Sequence, residues 1–209
     1  MTSSASVTER VAAYVDGFNL YFGIREKGRR HLWLDLEGLV RSLLKPHQQL
    51  VAVRYFTARV RNDPPAEHRQ QTYLNALAAH SSMLDIRQGR FQQKSKTCHS
   101  CGSSWLEYEE KETDVSLSVS LLEDGINHLY DTALIVSADG DMSPAIRALR
   151  RLLPGVRVVA ALPPNRRSFG LQAVCDATIP IGMAKVRQSQ LPNAVNAGSR
   201  ILLRPPHWS

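Results

Sequence analysis

Cysteine is scarce in this chain: Cys98, Cys101 and Cys175 are the only three in 209 residues. So small and odd a count cannot build a disulfide framework. It suits a reducing compartment, and a cytoplasmic setting is expected. Long apolar runs are also missing. None approaches the ~20 residues that a membrane-spanning helix needs. Met1 to Arg10 is polar and lacks the apolar core of a secretory signal. Lysine is the third shortage, with six residues against 20 arginines. Neither a Gly-rich phosphate loop nor a Ser-His-Asp arrangement is found, and there is no internal repeat or low-complexity tract.

What is present is an ordinary globular composition with a basic excess. Hydrophobic residues make up 43% and charged residues 22%, which excludes wholesale disorder. The length fits one domain, or one domain plus a tail. A chain of this size buries roughly 70% of its unfolded surface and needs no staples. Lys and Arg number 26 against 19 Asp and Glu, a formal +7 with a pI near 9.6. Because arginine's planar fork of donors matches phosphate oxygens, its dominance points to nucleic acid. A genome whose base composition favours arginine codons accounts for it equally well.

Short β-branched runs alternate with helical patterns. Strands are predicted at Val11–Val15, Leu50–Thr57, Met83–Phe91, Thr132–Ser137, Val156–Leu162 and Ala177–Ile181. Helices are predicted at Leu36–Leu44, Ala66–Ser81, Asp114–Leu129 and Pro144–Leu153. The alternation implies an α/β sandwich with a mostly parallel sheet. Residues 115–121 alternate with period two, as a strand would. Val115, Val119, Leu122, Ile126 and Leu129 nevertheless mark one apolar helical face that continues past the alternation, so a helix is expected, with serines that let it pack closely against a neighbour. The domain is placed at residues 8–185. Within it, 92–112 interrupt the rhythm and read as an insertion carrying a CxxC. Residues 186–209 read as a tail, extended or packed along the surface.

Ligands of open parallel sheets bind beyond the carboxyl ends of the strands. Acids stand there: Asp16 after the first strand, Asp139 and Asp141 after Thr132–Ser137, and Asp114 at a helix start. A single Asp at such a place is commonly a helix cap or turn residue. For Asp139 and Asp141, Ser143 and Pro144 already offer an N-cap and a first-turn proline, which leaves two mutually repelling acids without a capping duty. Hard divalent ions take carboxylate oxygens, so four converging acids suggest a Mg²⁺ or Mn²⁺ site for phosphoryl chemistry. Candidates for holding the polyanion are Arg25, Arg29, Arg30, Arg59, Arg61, Arg166 and Arg167. Each reads equally well as solvated surface.

Three blocks carry a family likeness: Tyr14-Val-Asp-Gly-Phe-Asn-Leu-Tyr21, Lys111-Glu-Thr-Asp-Val-Ser-Leu117 and Ile135-Val-Ser-Ala-Asp-Gly-Asp-Met142. In order and spacing they resemble the signature blocks of the NYN domain family, within the PIN-like nuclease superfamily, and look most like its LabA-like branch. The resemblance covers roughly residues 8–185. It implies a PIN-like fold, a three-layer α/β/α sandwich with a central mostly parallel sheet, and a metal-dependent ribonuclease or a relative of one. It places Asp16, Asp114, Asp139 and Asp141 at the acidic metal positions and Asn19 where an Asn orients the first acid or a water. Ser137 falls at a hydroxyl position of the third block, and Lys111 where a basic residue precedes the second acid and approaches a phosphate. Met142 stands where an aromatic is common, a departure expected to affect packing only.

Cys98-His-Ser-Cys101-Gly102 has the form of half a zinc knuckle. Tetrahedral zinc needs two more ligands, for which His99, His80 or a second subunit's pair across a homodimer axis are the candidates. Two reduced surface thiols are the plain alternative. Cys175, among apolar neighbours, reads as core. The expected function is therefore a Mg²⁺/Mn²⁺-dependent nuclease acting on RNA, or on DNA. The alternatives are an RNA-binding module that does not cleave and a small-molecule phosphohydrolase. The second draws on the Asp-x-Asp spacing of Asp139 and Asp141, which in aspartyl-phosphate phosphatases belongs on the first strand and here follows a later one.

Overall fold

The structure is a computed structural model. It describes residues 8–98 and 100–208; within strands, the side chains of 90–94 and 106–111 are outside the description. Among the described residues the central sheet has seven strands. These are β1 (Glu9–Asp16), β2 (Gln48–Ala58), β3 (Leu84–Thr97), β4 (Ser104–Lys111), β5 (Thr132–Val136), β6 (Arg157–Leu162) and β7 (Ala177–Pro180). Their order is β4-β3-β2-β1-β5-β6-β7. All neighbours are parallel except β3 and β4, which form an antiparallel hairpin.

Strand alternation divides the core into two layers. From β1, Val11, Ala13 and Val15 face one side, together with α1 (Gly17–Arg25), α2 (Leu36–Leu43), α3 (Pro64–His80) and α7 (Met183–Gln188). Ala12 and Tyr14 face the other, with α4 (Thr113–Ile126), α5 (Ser143–Leu152) and α6 (Phe169–Val174). Every residue of β1 from Val11 to Asp16 is buried, as suits a central strand covered on both faces. This is the three-layer α/β/α architecture read from the sequence, with six parallel strands and one antiparallel edge.

Several expectations need correction. Residues 115–121 are helical, but α4 buries Leu117, Ser120, Leu121, Asp124 and Gly125. Val115, Val119 and Ile126 are 66%, 55% and 55% exposed. The reason is a polar network that fixes the helix's rotation. The Arg54 guanidinium on β2 donates to Asp124 from Nε at 3.1 Å and from Nη2 at 3.3 Å, and Tyr14 Oη donates to the same carboxylate at 2.8 Å. A buried carboxylate must be paired, so Asp124 faces the sheet and the valine stripe turns outward.

Residues 92–112, read as an insertion, lie largely in the β3–β4 hairpin, the antiparallel addition to an otherwise parallel sheet. The tail is likewise built into the fold. The boundary at 185 falls inside α7, and β8 (Ala194–Ala197) pairs with β9 (Arg200–Leu203). Trp208 is 7% exposed, with its ring 5.8 Å from Tyr73 and 6.5 Å from Trp33.

Candidate functional site

Asp16 ends β1 and caps α1. Its Oδ1 accepts from Asn19 N at 3.0 Å. The turn is tight, and a Cβ on Gly17 would lie 2.5 Å from Phe56 O, so no larger residue fits beside the acid. Asp16 Oδ2 accepts from Ser137 Oγ at 2.9 Å, and the same Ser137 Oγ accepts from Asp139 N at 3.0 Å. Asn19 Oδ1 accepts from Ala138 N at 3.2 Å. The ends of β1 and β5 are thereby stitched into one polar network around Asp16 and Asp139.

Asp16 is 5% exposed. Burial raises its pKa above the usual carboxylate range, the charge of nearby Asp139 adds to this, and the bonds from Asn19 and Ser137 oppose it. No cationic side chain pairs with Asp16, Asp139 or Asp141 among the described residues.

Asp139 does have a capping duty, contrary to expectation. Its Oδ1 accepts from Asp141 N at 2.9 Å and starts the 3-10 turn Gly140–Met142. Ser143 is not the cap of α5: it is helical, at φ −56° and ψ −40°. Its Oγ is buried without a hydrogen-bond partner. Asp141 is exposed on the turn, and Asp114 is exposed in the first turn of α4. The start of α4 lies against that turn, with Ser118 Oγ 3.6 Å from Met142 Sδ. Among the described residues no three His, Cys, Asp or Glu side chains converge closely enough to hold one metal ion. The expected four-acid cluster is thus a joined inner pair with two exposed acids nearby.

The predicted basic residues divide. Arg59 is 3.4 Å from Glu67, and Arg166 is 2.8 Å from Glu26, so both are engaged on the surface. Arg30 Nε approaches His31 Nε2 at 3.4 Å, while Arg61 and Arg167 are exposed. Arg25 lies 6.0 Å from the centre of the Tyr21 ring. Arg29 contacts His207. The Lys111 side chain is outside the described residues.

At the hairpin tip Gly102 takes φ 70°, and its N–H donates to Cys98 O at 2.9 Å. Cys101 is exposed, and hydrogen bonding with Ser103 lowers its thiol pKa to about 7. His80 ends α3 just before β3 begins, with Nε2 3.5 Å from Asp35, whereas Cys98 follows the far end of that 14-residue strand, so the two do not meet. His99 is outside the described residues. Cys175 is half-buried, and desolvation pushes its thiol up to about 11.

Sequence reading missed one recess altogether. It has a volume of about 360 Å³ and lies among α1, the end of β2, α3 and the C-terminal 3-10 turn. The aromatic pattern Phe18, Tyr21, Phe22 after Asp16 was its available signal.

A mostly parallel sheet flanked by helices in three layers is consistent with a PIN-like, nuclease-like fold. The comparisons agree. The NYN domain model matches residues 10–182, and the chain belongs to the NYN domain family. It is 25% identical over 240 residues to 6-hydroxy-3-succinoylpyridine 3-monooxygenase HspA of Pseudomonas putida, covering 95% of this chain and 75% of that protein. The crystal structure of VPA0982, a protein of unknown function from Vibrio parahaemolyticus, shares the fold. Its TM-score is 0.55 at 19% identity, over 87% of this chain and 97% of that one. No helix among the described residues is long and apolar enough to cross a membrane.

Proposed function

We propose that this protein is a divalent-metal-dependent nuclease that hydrolyses RNA phosphodiesters, of the LabA-like kind. One observation carries the reading: Asp16 is buried beside Asp139, and neither acid has a cationic partner among the described residues. Two close carboxylates in low dielectric are costly unless a positive charge joins them. Oxygen donors alone suit Mg²⁺ or Mn²⁺. Asp16 and Asp139 would hold the ion on the inner side, while exposed Asp141 and Asp114, which do not converge on that pair, would act through waters of the ion. Such an ion, when bound, lowers the pKa of a coordinated water and offsets phosphate charge. The protein's own part is orientation. Ser137 fixes one oxygen of Asp16 and Asn19 the other, so the inner acid is positioned in advance.

Mn²⁺ binding followed by electron paramagnetic resonance, with cleavage of labelled RNA in parallel, tests this. Asp139→Asn should weaken Mn²⁺ binding about tenfold or more and abolish cleavage, with the circular dichroism spectrum unchanged. Unaltered Mn²⁺ binding in that variant would overturn the assignment. RNA held in EDTA and left intact after Mn²⁺ is added would favour the module that does not cleave.

A second reading has its own support. HspA is named for oxidation of a substituted pyridine, and the recess beginning at Gly17, next to Asp16, is walled by aromatic rings. A small heteroaromatic substrate fits both facts. Turnover of a hydroxypyridine with no action on RNA would favour it.

A further inference from the structure

The recess beside Gly17 holds an unusual combination of groups. Phe18, Tyr21 and Phe22 line it from α1, Tyr55 from β2, and Tyr73 and Trp208 from α3 and the C-terminal turn. Its buried polar atoms are already committed. Tyr73 Oη donates to Leu34 O at 2.8 Å. Gln70 Nε2 donates to Ala58 O and its Oε1 accepts from Val60 N, each at 2.8 Å. The walls therefore offer an occupant ring faces and edges and few free hydrogen-bonding groups, which is a surface for stacking.

The rim is cationic. Arg25, Arg29 and Arg69 all border the recess, and none forms an ion pair with a carboxylate among the described residues. Arg10, Arg41, Arg54, Arg59, Arg87, Arg150 and Arg166 do form such pairs. The acid at the rim, Asp63, has Oδ1 on Ala66 N at 2.9 Å as the cap of α3. Desolvation, then the charges of Arg29 and Arg69, hold His207 below the usual imidazole range against the opposing pull of Asp63. Guanidinium groups left without carboxylates at the mouth of an aromatic cavity are placed to take an oxyanion.

We propose that this recess binds a small planar aromatic ring carrying an anionic group, the ring stacked among the aromatic walls and the oxyanion held by Arg25, Arg29 and Arg69. A volume of about 360 Å³ falls within the range of small-molecule sites. Two sources share this chemistry: a nucleotide, with its base and phosphate, and a free heteroaromatic carboxylate. Binding here does not depend on hydrolysis at Asp16, and Mn²⁺ binding at the acids is measured separately, so either assignment can fail alone.

The test is calorimetric titration of the full chain with adenosine monophosphate in one arm and pyridine-3-carboxylate in the other. Pyridine-3-carboxamide and inorganic phosphate serve as controls. At least one aromatic anion should saturate one site per chain, with each control about tenfold weaker or more. Saturation by the nucleotide alone assigns the base of a strand or free nucleotide, and saturation by the carboxylate alone assigns a free small molecule. Arg25→Gln and Arg69→Gln, each checked for folding by circular dichroism, should weaken the binding about tenfold. Trp208→Phe should remove the accompanying change in tryptophan fluorescence while calorimetric binding persists. If neither anion saturates by about 10 mM, a Kd limit equivalent to only a few kcal/mol, or if the arginine variants bind as wild type does, the assignment is overturned.

Discussion

Replacing Asp124 by Ala probes what sets the rotation of α4. Asp124 has a 10% exposed side chain and Arg54 a 22% exposed one. The substitution removes both bonds from Arg54 and the one from Tyr14 Oη, leaving a largely buried guanidinium and a buried hydroxyl. Breaking a buried pair from one side costs about 3–5 kcal/mol. Arg54 keeps its 2.9 Å contact to Asp85, so the lower end applies, about 3 kcal/mol. For a domain of this size each kcal/mol moves Tm by roughly 2–4 °C, giving a fall of roughly 6–12 °C. Thermal and urea unfolding by circular dichroism measure it. Arg54→Met paired with Asp124→Ala should recover part of the loss, because no charge then remains buried alone. A loss under about 1 kcal/mol for Asp124→Ala would refute the claim that this pair orients the helix. So would a double variant worse than the sum of the single ones.

Other predictions follow from the tail, the buried acid and the thiols. Trp208→Ala should cost about 3 kcal/mol in urea unfolding through loss of its packing on Trp33 and Tyr73; an unchanged midpoint would mean that the tail is only laid on the surface. The pKa of Asp16 is raised in the folded state, so its contribution to stability is fully present below the unfolded value and is lost as pH rises through the folded one. Without divalent metal, Asp16→Asn should therefore be at least as stable as wild type at pH 7, with the advantage shrinking towards pH 4. A deficit that persists across that range would count against a strained carboxylate. Cys101, with its pKa lowered to about 7, should react with iodoacetamide at pH 7 well before Cys175, raised to about 11. Peptide mapping of the alkylated sites decides this.

How much was legible in the sequence depended on how local the deciding interaction is. The strands announced themselves because a central parallel strand such as Val11–Val15 is apolar without interruption. The acids announced themselves because they follow those strands directly. The buried face of α4 is not its valine stripe, because two signals compete. The valine stripe is local, whereas the decision rests with Arg54, 70 residues away. The cap of α5 was misread for a subtler reason: Asp139 caps a 3-10 turn inserted before the helix, which makes Ser143 a helical residue. Pro192, Gly198, Pro205 and Pro206 made residues 186–209 look loose, yet Val195 and Trp208 anchor them in the core. The recess lies where α1, α3 and the C-terminal turn meet, a meeting that no single stretch of sequence records.

The order β4-β3-β2-β1-β5-β6-β7 puts the first strand in the middle of the sheet. One edge of β1 is met by β2, starting at Gln48, and the other waits for β5, starting at Thr132. The clip at its foot, Arg10 donating to Asp131 at 2.7 and 3.1 Å, spans 121 residues. Closing such a loop costs entropy before any pairing offsets it. High contact order of this kind slows folding, and a half-paired apolar strand is an aggregation template in the meantime. The sheet edge that gathers Asp16 and Asp139 therefore depends on the same long closure that retires this exposed edge.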